Sequence, residues 1–224
     1  KEISAAISRT QEPSGGWAHG PGGPNALNYV ELNVVAYLCL TSLALAKECG
    51  VKVNENTISR GQDYIESCTK GGAVGYSERP GQNGMPEPGR AGGTIVAYSI
   101  LNNRPQPLQS MTSYLCGAYR ETHEGHASQM LQIIFATVGL AIGSKKGFRD
   151  HMDYHAWLFD LARNADGSFS PQPNRETLSM GSNSDRNLGL NWTTGGYALC
   201  YALGKDRLRI GGKKGGPGRK KSDK

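Results

Sequence analysis

The sequence predicts an all-α protein built from repeated αα-hairpins, and three observations support this prediction. Segments that are apolar on all sides alternate with segments that have one apolar face, as expected when one helix of each hairpin is buried and the other is half-exposed. The alanine and leucine content of the apolar segments favours helix over strand. Glycine-rich crossings punctuate the chain at spacings of 56, 54 and 42 residues, which indicates an irregular repeat.

The predicted helices follow one another along the chain in two alternating types. Apolar helices are predicted at residues 32–45, 93–101, 127–142 and 193–203. Amphipathic helices are predicted at residues 58–68, 108–118 and 148–162. Stacked hairpins of this kind form either an open solenoid or a closed ring with an inner and an outer layer of helices. We expect the apolar helices to form the inner layer.

The first crossing, SGGWAHGPGG at residues 14–23, has the glycine content of a phosphate-binding loop. A phosphate cradle needs a strand before the loop and a helix N-terminus directly after it, and no strand pattern precedes Gly15. We therefore interpret it as a turn that glycine permits, with Trp17 packed between neighbouring hairpins. His19 in this crossing is a candidate ligand contact.

The net charge of +6 is concentrated at the C-terminus. Residues 213–224 hold six Lys and Arg against one Asp, which leaves about +1 for residues 1–212. A body that is nearly neutral argues against a specific nucleic-acid surface. We divide the chain into a helical domain at 1–212 and a tail at 213–224, for which we predict disorder. The tail is interpreted as a solvated terminus, with an electrostatic anchor for polyanions as the alternative.

Five cysteines give an odd count, and none forms a CxxC pair. We interpret them as buried free thiols, with a Cys49–Cys68 disulfide as the alternative. No run of 18 apolar residues occurs, so we predict no membrane span. The chain begins Lys-Glu-Ile, and we expect it to be a fragment whose signal peptide was either removed or never included.

Several stretches give the chain a family resemblance: GGWAHG, YVELN, AKECGVKVNENTISRGQDYI, EGHASQMLQIIFATVGLAIG, WLFDLARNADGSF and GKDRLRIGGK. The chain resembles the α/α-toroid superfamily of terpene cyclases, protein prenyltransferase β subunits and some polysaccharide lyases. It is more closely similar to a bacterial toroid family of unknown function that occurs in multidomain, exported proteins. The resemblance implies a partial or complete α/α toroid and an extracellular or periplasmic location.

The chain also departs from the superfamily. The DxDD acid motif of the cyclases and the Asp-x-Cys zinc motif of the prenyltransferases are both absent from the sequence. About four hairpins are visible, where full toroids of the superfamily have six or seven. The ring is therefore either incomplete or closed by a neighbouring domain.

Candidate catalytic residues lie where crossings lead into apolar helices, because the first turns of inner helices face one mouth of a ring. His126 is a candidate general acid or base, with Ser128 and Gln129 as substrate contacts beside it. A histidine that caps or packs at the helix start is the alternative. Glu31 is the candidate acid of the first apolar helix, unless Asn28 and Glu31 form a capping box.

Further candidate contacts are polar or aromatic residues at the same crossings. Tyr29 and Asn33 flank Glu31 and can hydrogen-bond a polar substrate. Arg90 ends a long Gly/Pro-rich loop from Tyr76, where Arg79 and Arg90 can bind an anion unless the loop is plain surface. Trp192 can stack on a sugar ring, in a predicted cluster with Asp166, Asn183, Asp185 and Asn191, or pack on Phe169.

Two histidines have the spacing of a metal clip, since His151 and His155 stand at i and i+4. They lie on an amphipathic helix with Asp153 as the nearby carboxylate, so we interpret them as a solvated or packed pair. The sequence predicts no metal and no cofactor.

Three hypotheses for function follow. In the first, the domain acts on a carbohydrate or another polar polymer in a central cleft, with His126, Glu31, Arg90 and Trp192 at the site. In the second, it is a non-catalytic binding or scaffold module whose partners are neighbouring domains of the same chain. In the third and weakest, it is a terpene cyclase or prenyltransferase.

Overall fold

The computed structural model describes residues 1–19, 29–78, 86–173 and 184–205, and these residues form an all-α fold, as the sequence predicts. Eight α-helices lie in these ranges: α1 (Glu2–Arg9), α2 (Asn33–Glu48), α3 (Glu55–Ser67), α4 (Pro88–Leu101), α5 (Pro105–Ala118), α6 (Gln129–Gly143), α7 (Lys145–Ala162) and α8 (Ser184–Leu203). A 3₁₀ helix at Tyr119–Glu124 joins α5 to α6. Strands β1 (Thr69–Lys70) and β2 (Ala73–Val74) form a small antiparallel hairpin.

Helices α2, α4, α6 and α8 lie side by side in chain order, and we call them the helix row. Helices α1 and α3 pack against α2, α5 packs against both α4 and α6, and α7 packs against α6. The row helices are the segments predicted to be apolar on all sides. Helix α4 fits this description best, because it is buried from Pro88 to Tyr98.

Two glycines let α4 and α6 approach each other closely. A Cβ atom on Gly139 would lie 2.6 Å from the Cα of Gly92, and a Cβ atom on Gly92 would collide with the carbonyl of Phe135. Only a residue without a side chain fits such a contact between two helix backbones. A Cβ atom on Gly89 would lie 2.6 Å from the Cα of Gln132, so the first turns of α4 and α6 are neighbours as well. The chain segments that lead into them therefore meet.

The first crossing is a tight turn that holds a buried tryptophan, as predicted. Gly15 has a φ of +97°, and a Cβ atom there would collide with the carbonyl of Arg60. The indole of Trp17 is buried, and its N–H donates to the carbonyl of Ile7 at 2.9 Å. A Cβ atom on Gly61 of α3 would lie 2.8 Å from the indole ring. Trp17 thus packs between α1 and α3.

The second crossing contains the β-hairpin, which the sequence analysis did not predict. Lys70 pairs with Ala73 across a two-residue loop, Gly71–Gly72, in which both residues have positive φ. Two consecutive positive φ angles define the type I′ turn, and this turn matches the twist of antiparallel strands. The glycine pair therefore explains why a short hairpin forms between two helices.

The capping box predicted at the start of α2 was wrong, because the helix begins at Asn33 and its N-cap is Leu32. Asn28 lies outside the described residues, and Glu31 precedes the helix, whose first residue is Asn33. The backbone N–H of Leu32 donates to the carbonyl of Trp17 at 2.9 Å, and that of Asn33 donates to Tyr76 at 3.1 Å. These bonds hold the chain extended up to Leu32 and delay the helix.

The cysteines are free thiols with different exposure. Cys68 and Cys200 are buried, whereas Cys49 is exposed. The tail at 213–224 lies outside the described residues. In the part of the chain that the structure describes, no helix has a stretch long and apolar enough to cross a membrane.

Candidate functional site

The segments that lead into the row helices meet at one end of the row. The backbone of Asn33, at the start of α2, bonds to Tyr76, which precedes α4. Glu87, which precedes α4, bonds to His126, which precedes α6. The N–H of Ser184, the first residue of α8, donates to the carbonyl of Ala127 at 2.9 Å. Four crossings distant in sequence therefore contribute to one surface.

Glu87 connects two of the predicted site residues. One carboxylate oxygen accepts the backbone N–H of His126 at 2.7 Å, and the other lies 2.9 Å from the guanidinium of Arg90. The Arg90 side chain is only 3% exposed, so this ion pair lies below the surface. Burial lowers the pKa of Arg90, and the Glu87 carboxylate opposes that shift. Arg90 remains the charge partner of Glu87 and lies beneath the surface residues.

Tyr76 lies at the centre of the site. The Arg90 guanidinium carbon is 5.0 Å from the centroid of the Tyr76 ring, within the range of a cation–π contact. The His126 ring meets Tyr76 edge-on, with centroids 5.4 Å apart. The hydroxyl oxygens of Tyr76 and Tyr29 are 3.2 Å apart, and the His19 ring stacks on Tyr29 with centroids 5.9 Å apart.

We call His19, Tyr29, Tyr76, Glu87, Arg90 and His126 the Tyr76 cluster. His19 and Tyr29 are exposed, whereas Tyr76 and His126 are half-buried. Burial and the neighbouring Tyr29 raise the pKa of Tyr76, so the phenol keeps its proton at neutral pH. The cluster thus offers hydroxyl and imidazole hydrogen-bonding groups beside aromatic faces that solvent reaches.

The backbone beside His126 is in an uncommon conformation. Ala127 has a φ of +61°, and the N–H of Ser128 donates to the carbonyl of His126 at 2.7 Å. This is a classic γ-turn, a rare and strained three-residue turn. Bonds from Glu87 and Ser184 hold the turn on both sides. Residues in sparsely populated φ/ψ regions concentrate at functional sites, where the surrounding structure enforces them.

A second group of polar contacts surrounds the start of α6, and Asp185 is its centre. The buried carboxylate accepts the hydroxyl of Ser128 at 2.6 Å, the N–H of Met130 at 2.9 Å and the indole N–H of Trp192 at 2.8 Å. Asp185 therefore supplies negative charge to the N-terminus of α6, where a helix binds anions. Ser128 is also the N-cap, since its hydroxyl oxygen accepts the N–H of Leu131.

Three predicted substrate contacts have their polar groups bound within the protein. Ser128 and Gln129 are buried, and the Gln129 amide donates to the carbonyl of His123 at 2.9 Å. Trp192 is half-buried and packs against a core cluster that contains Phe169. It reaches Asp185 because the helical path of α8 is interrupted at Gly189, whose φ is +78°.

Two members of the cluster predicted at the last crossing meet, since the Trp192 indole donates to Asp185. Asp166 accepts hydrogen bonds from Ser168 within its own turn, whereas Asp185 caps α6. The two carboxylates therefore bind different amides. Arg79 and Asn183 lie outside the described residues.

The structure places Glu31 and Asn33 beside the Tyr76 cluster, on the side of α3. The buried Asn33 amide donates to the carbonyl of Gly75 at 2.8 Å. The Tyr64 hydroxyl donates to the backbone carbonyl of Glu31 at 2.7 Å. The Glu31 carboxylate lies near the Glu78 carboxyl group. Burial and the Glu31 charge raise the pKa of Glu78. Among the described residues, no hydrogen bond or ion pair joins Glu31 to His126.

Three other histidines form a stack, which we call the histidine column. The His151 and His155 ring centroids are 4.6 Å apart, and the His155 and His123 centroids are 5.6 Å apart. His151 and His155 are fully buried, so they are a packed pair, as one of the two predicted alternatives had it. The described residues contain no group of three side chains suited to hold a metal ion.

Burial keeps the two buried rings of the column neutral, and the hydrogen bonds indicate which ring nitrogen carries the proton. Nδ1 of His155 donates to the carbonyl of His151 at 3.1 Å, and its Nε2 lies 3.1 Å from the Thr122 hydroxyl, from which it accepts. The Thr137 hydroxyl donates to the carbonyl of Ile133 and accepts from Nε2 of His151 at 2.8 Å. Burial lowers the pKa of His151 to about 3, and burial lowers that of His155 to about 4.

The Tyr76 cluster contains two residues that sequence reasoning did not single out, Tyr76 and Glu87. Tyr76 begins the long loop that the sequence predicts to bind a ligand, and Glu87 lies within that loop. Glu87 carried a signal, because a glutamate three residues before an arginine in a first helical turn favours an ion pair. Tyr76 carried none, since its role depends on contacts across 50 residues of sequence.

Comparison with known proteins assigns the chain to a family. The family model described as "Domain of unknown function (DUF6288)" matches residues 1–212, and the chain therefore belongs to this family. No curated protein matches the chain.

Proposed function

We propose that this DUF6288 domain is an α/α toroid that binds a carbohydrate or another polar polymer at the Tyr76 cluster. The layered order of the helices supports the toroid, because the apolar helices form a row in chain order and the amphipathic helices pack on them. In such an arrangement, the crossings at one end of the row surround the mouth of the central cleft. The Tyr76 cluster is built from the crossings before α2, α4 and α6.

The observation that carries this proposal is the set of contacts around Tyr76. A half-buried phenol has Arg90 on one ring face, His126 at its edge and Tyr29 at its hydroxyl. Sugars present alternating hydroxyl groups and apolar C–H faces, so they bind where aromatic faces lie beside hydrogen-bonding groups. Exposed Tyr29 and His19 extend the same surface outward.

The charges near the cluster favour a neutral or cationic polymer over an anionic one. Arg90 is neutralised by Glu87, and Glu31 and Glu78 lie on the side of α3. On the other side, Glu121 and Glu124 add negative charge to a cavity of about 270 Å³, whose other lining residues are Pro86, Pro88 and the paired Glu87. A polyanion that approached this surface would meet carboxylates of the same sign.

Calorimetric titration with three hexasaccharides tests the proposal: cellohexaose as the neutral polymer, chitosan hexamer as the cationic one and oligogalacturonate as the anionic one. We expect binding of cellohexaose or of the chitosan hexamer and none of oligogalacturonate. Tyr76→Ala should abolish that binding. Tyr154→Ala, which removes an exposed tyrosine of α7, is the matched control and should leave affinity unchanged. Equal affinity of wild type and Tyr76→Ala would disprove the proposal.

A catalytic domain that acts on the same polymer is the second candidate, and the strained turn beside His126 favours it. The half-buried imidazole of His126 lies at the rim of the cluster, and histidine is the side chain that most often serves as a general acid or base. In a turnover assay with the polymer that binds, His126→Ala should then retain binding and lose product formation. Absence of product from the wild-type protein assigns the domain to binding alone.

A further inference from the structure

A groove lies at the opposite end of the helix row from the Tyr76 cluster, and its volume is about 630 Å³. The last turns of α2, α4 and α6 and one side of α5 form its walls. Its aliphatic surface comes from Ile100, Leu108 and Ile142, which are all half-buried. An apolar group that covers these side chains removes further apolar surface from water and so stabilises the protein. We call this feature the distal groove.

The end of helix α8 lies beside the distal groove. Leu203, the last residue of α8, is buried in a cluster with Val96 of α4 and Val138 of α6. Ile100 and Ile142, which line the groove, pack against the same cluster. The chain therefore leaves α8 close to the aliphatic wall of the groove.

The sequence after α8 has the pattern of an extended segment with one apolar side. Residues 206–212 read DRLRIGG, and Leu208 and Ile210 are separated in it by a single arginine. Residues two apart in an extended chain project on the same side, so both aliphatic side chains can enter one groove while the arginines face solvent. An extended chain advances about 3.3 Å per residue, so Leu208 is within about 10 Å of Lys205.

The family match includes this segment in the domain. The match extends to residue 212, which is seven residues past Lys205, the last described residue. Its boundary falls directly after Gly211 and Gly212 and directly before the basic tail. Leu208 and Ile210 are also the last aliphatic residues of the sequence. The part of the chain beyond α8 that can add to an apolar core is therefore the part that the family model covers.

We propose that residues 206–212 dock in the distal groove in an extended conformation. Leu208 and Ile210 then pack on the aliphatic wall, and the segment links the end of α8 to the ends of α4, α5 and α6. This docking does not depend on the function proposed for the Tyr76 cluster, because it concerns the other end of the helix row.

Methyl NMR of the full wild-type chain tests the contact directly. With the isoleucine and leucine methyl groups labelled, we expect nuclear Overhauser effects from Leu208 or Ile210 to at least one of Ile100, Leu108 and Ile142. This measurement needs no substitution, so it stays decisive if a variant fails to fold.

Paired substitutions in the full chain test the energetic contribution. Leu208→Ser with Ile210→Ser removes the apolar side of the segment, and we expect it to lower the melting temperature by at least about 4 °C. Arg207→Gln with Arg209→Gln changes the other side of the same segment and is the matched control. It should change the melting temperature by less than about 1 °C.

Amide ¹H–¹⁵N NMR of the same variants locates the docked segment. The serine pair should shift the amides at the ends of α4, α5 and α6. It should leave unchanged those of Gly167 and Phe169, which line a separate cavity with Arg163 and Tyr201.

Three outcomes would overturn the proposal. One is the absence of any Overhauser effect between the segment and the aliphatic wall in the wild type. Another is a serine pair that melts at the wild-type temperature, which would leave the groove to a different partner. The last is a set of amide shifts confined to Gly167 and Phe169, which would place the segment in that other cavity.

Discussion

The Tyr76 cluster and the histidine column are two groups of side chains that both contain histidine and both adjoin helix α6. The first lies at the surface and the second is largely buried. In the Tyr76 cluster, His126 is half-buried, and the nearby arginine and glutamate are both charged. In the histidine column, His151 and His155 are fully buried, and their hydrogen-bond partners among the described residues are hydroxyls and a carbonyl. The first group presents polar atoms to solvent, whereas the second uses them to hold elements together.

The comparison shows that the role of a histidine follows from its partners and not from its position on a helix. His155 links the 3₁₀ helix to α7 through Thr122, and His151 links α7 to α6 through Thr137. Both rings are neutral because burial lowers their pKa, and these bonds fix the ring nitrogen that carries the proton. The backbone N–H of His126 donates to Glu87, whereas its ring contacts the edge of Tyr76 at the surface. The backbone therefore has the structural role, and the ring faces the candidate site.

Acidification gives the largest expected effect, and it acts on the histidine column. In the folded state the pKa values of His151 and His155 are lowered, so the unfolded chain binds more protons below about pH 6.5. Stability is therefore present at neutral pH and is lost as the pH falls. Between pH 7 and pH 5 we expect a loss of about 2 kcal/mol per histidine, or about 4 kcal/mol together.

Urea denaturation at pH 7 and pH 5 measures this loss. A variant with both His151→Gln and His155→Gln should show a much smaller pH dependence, because neither position then titrates. If the wild type were equally stable at both pH values, the column would not be a pair of neutral buried rings.

Glu87→Gln gives the next largest effect and acts on the Tyr76 cluster. The substitution leaves the Arg90 guanidinium buried without its charge partner, and we expect a loss of about 3 kcal/mol in the free energy of unfolding. Chemical denaturation at pH 7 measures it. The control is Glu121→Gln, an exposed carboxylate from the same side of the molecule, which should cost less than about 0.5 kcal/mol. Equal losses in both variants would mean that the Glu87–Arg90 pair is not coupled to the fold.

Alanine substitution of a buried histidine, His155, should reduce stability more than alanine substitution of the half-buried His126. His155→Ala opens a cavity and removes the partner of Thr122, so we expect a loss of about 2 kcal/mol. His126→Ala should cost less than about 0.5 kcal/mol, because its ring is half-exposed. Thermal unfolding compares the two variants. The opposite ranking would assign the structural role to His126.

Tyr76→Phe gives the smallest effect on stability and the sharpest one on binding. The variant keeps the ring in contact with Arg90 and His126 and removes the hydroxyl that faces Tyr29. We expect less than about 0.5 kcal/mol in stability and about a fivefold weaker affinity for the bound oligosaccharide, the value of one hydrogen bond. Calorimetric titration of Tyr29→Phe under the same conditions tests whether the two hydroxyls act as one pair.

The order and type of the helices were predictable because they depend on local pattern. The apolar stretch at 32–45 became α2 and the one at 127–142 became α6, within a few residues at each end. The starts were less predictable, because tertiary contacts decide them. Leu32 and Asn33 pair with Trp17 and Tyr76, and this moved the start of α2 beyond the expected cap. Helix α1 and the β-hairpin were not predicted, since both are short.

The candidate site was predictable in part. Crossings that meet at one end of the apolar helices predict a shared location for His19, Tyr29, Arg90 and His126, and contacts through Tyr76 join these residues in the structure. The sequence pattern could not distinguish which of these site residues would be exposed and which buried, however. Arg90 was expected to face a ligand, and it lies beneath Tyr76 because Glu87 neutralises it there. Burial of a charge depends on a partner that only the fold supplies.

Asp185 has a consequence for the order of events during synthesis. The carboxylate that caps α6 comes from a residue 55 positions after Met130, whose N–H it accepts. A ribosome that adds about 5 to 20 residues per second makes Asp185 roughly three to ten seconds after the start of α6. Until then the first amides of α6 lack this acceptor. The end of the row that carries His126 is therefore completed last, when α8 emerges and docks.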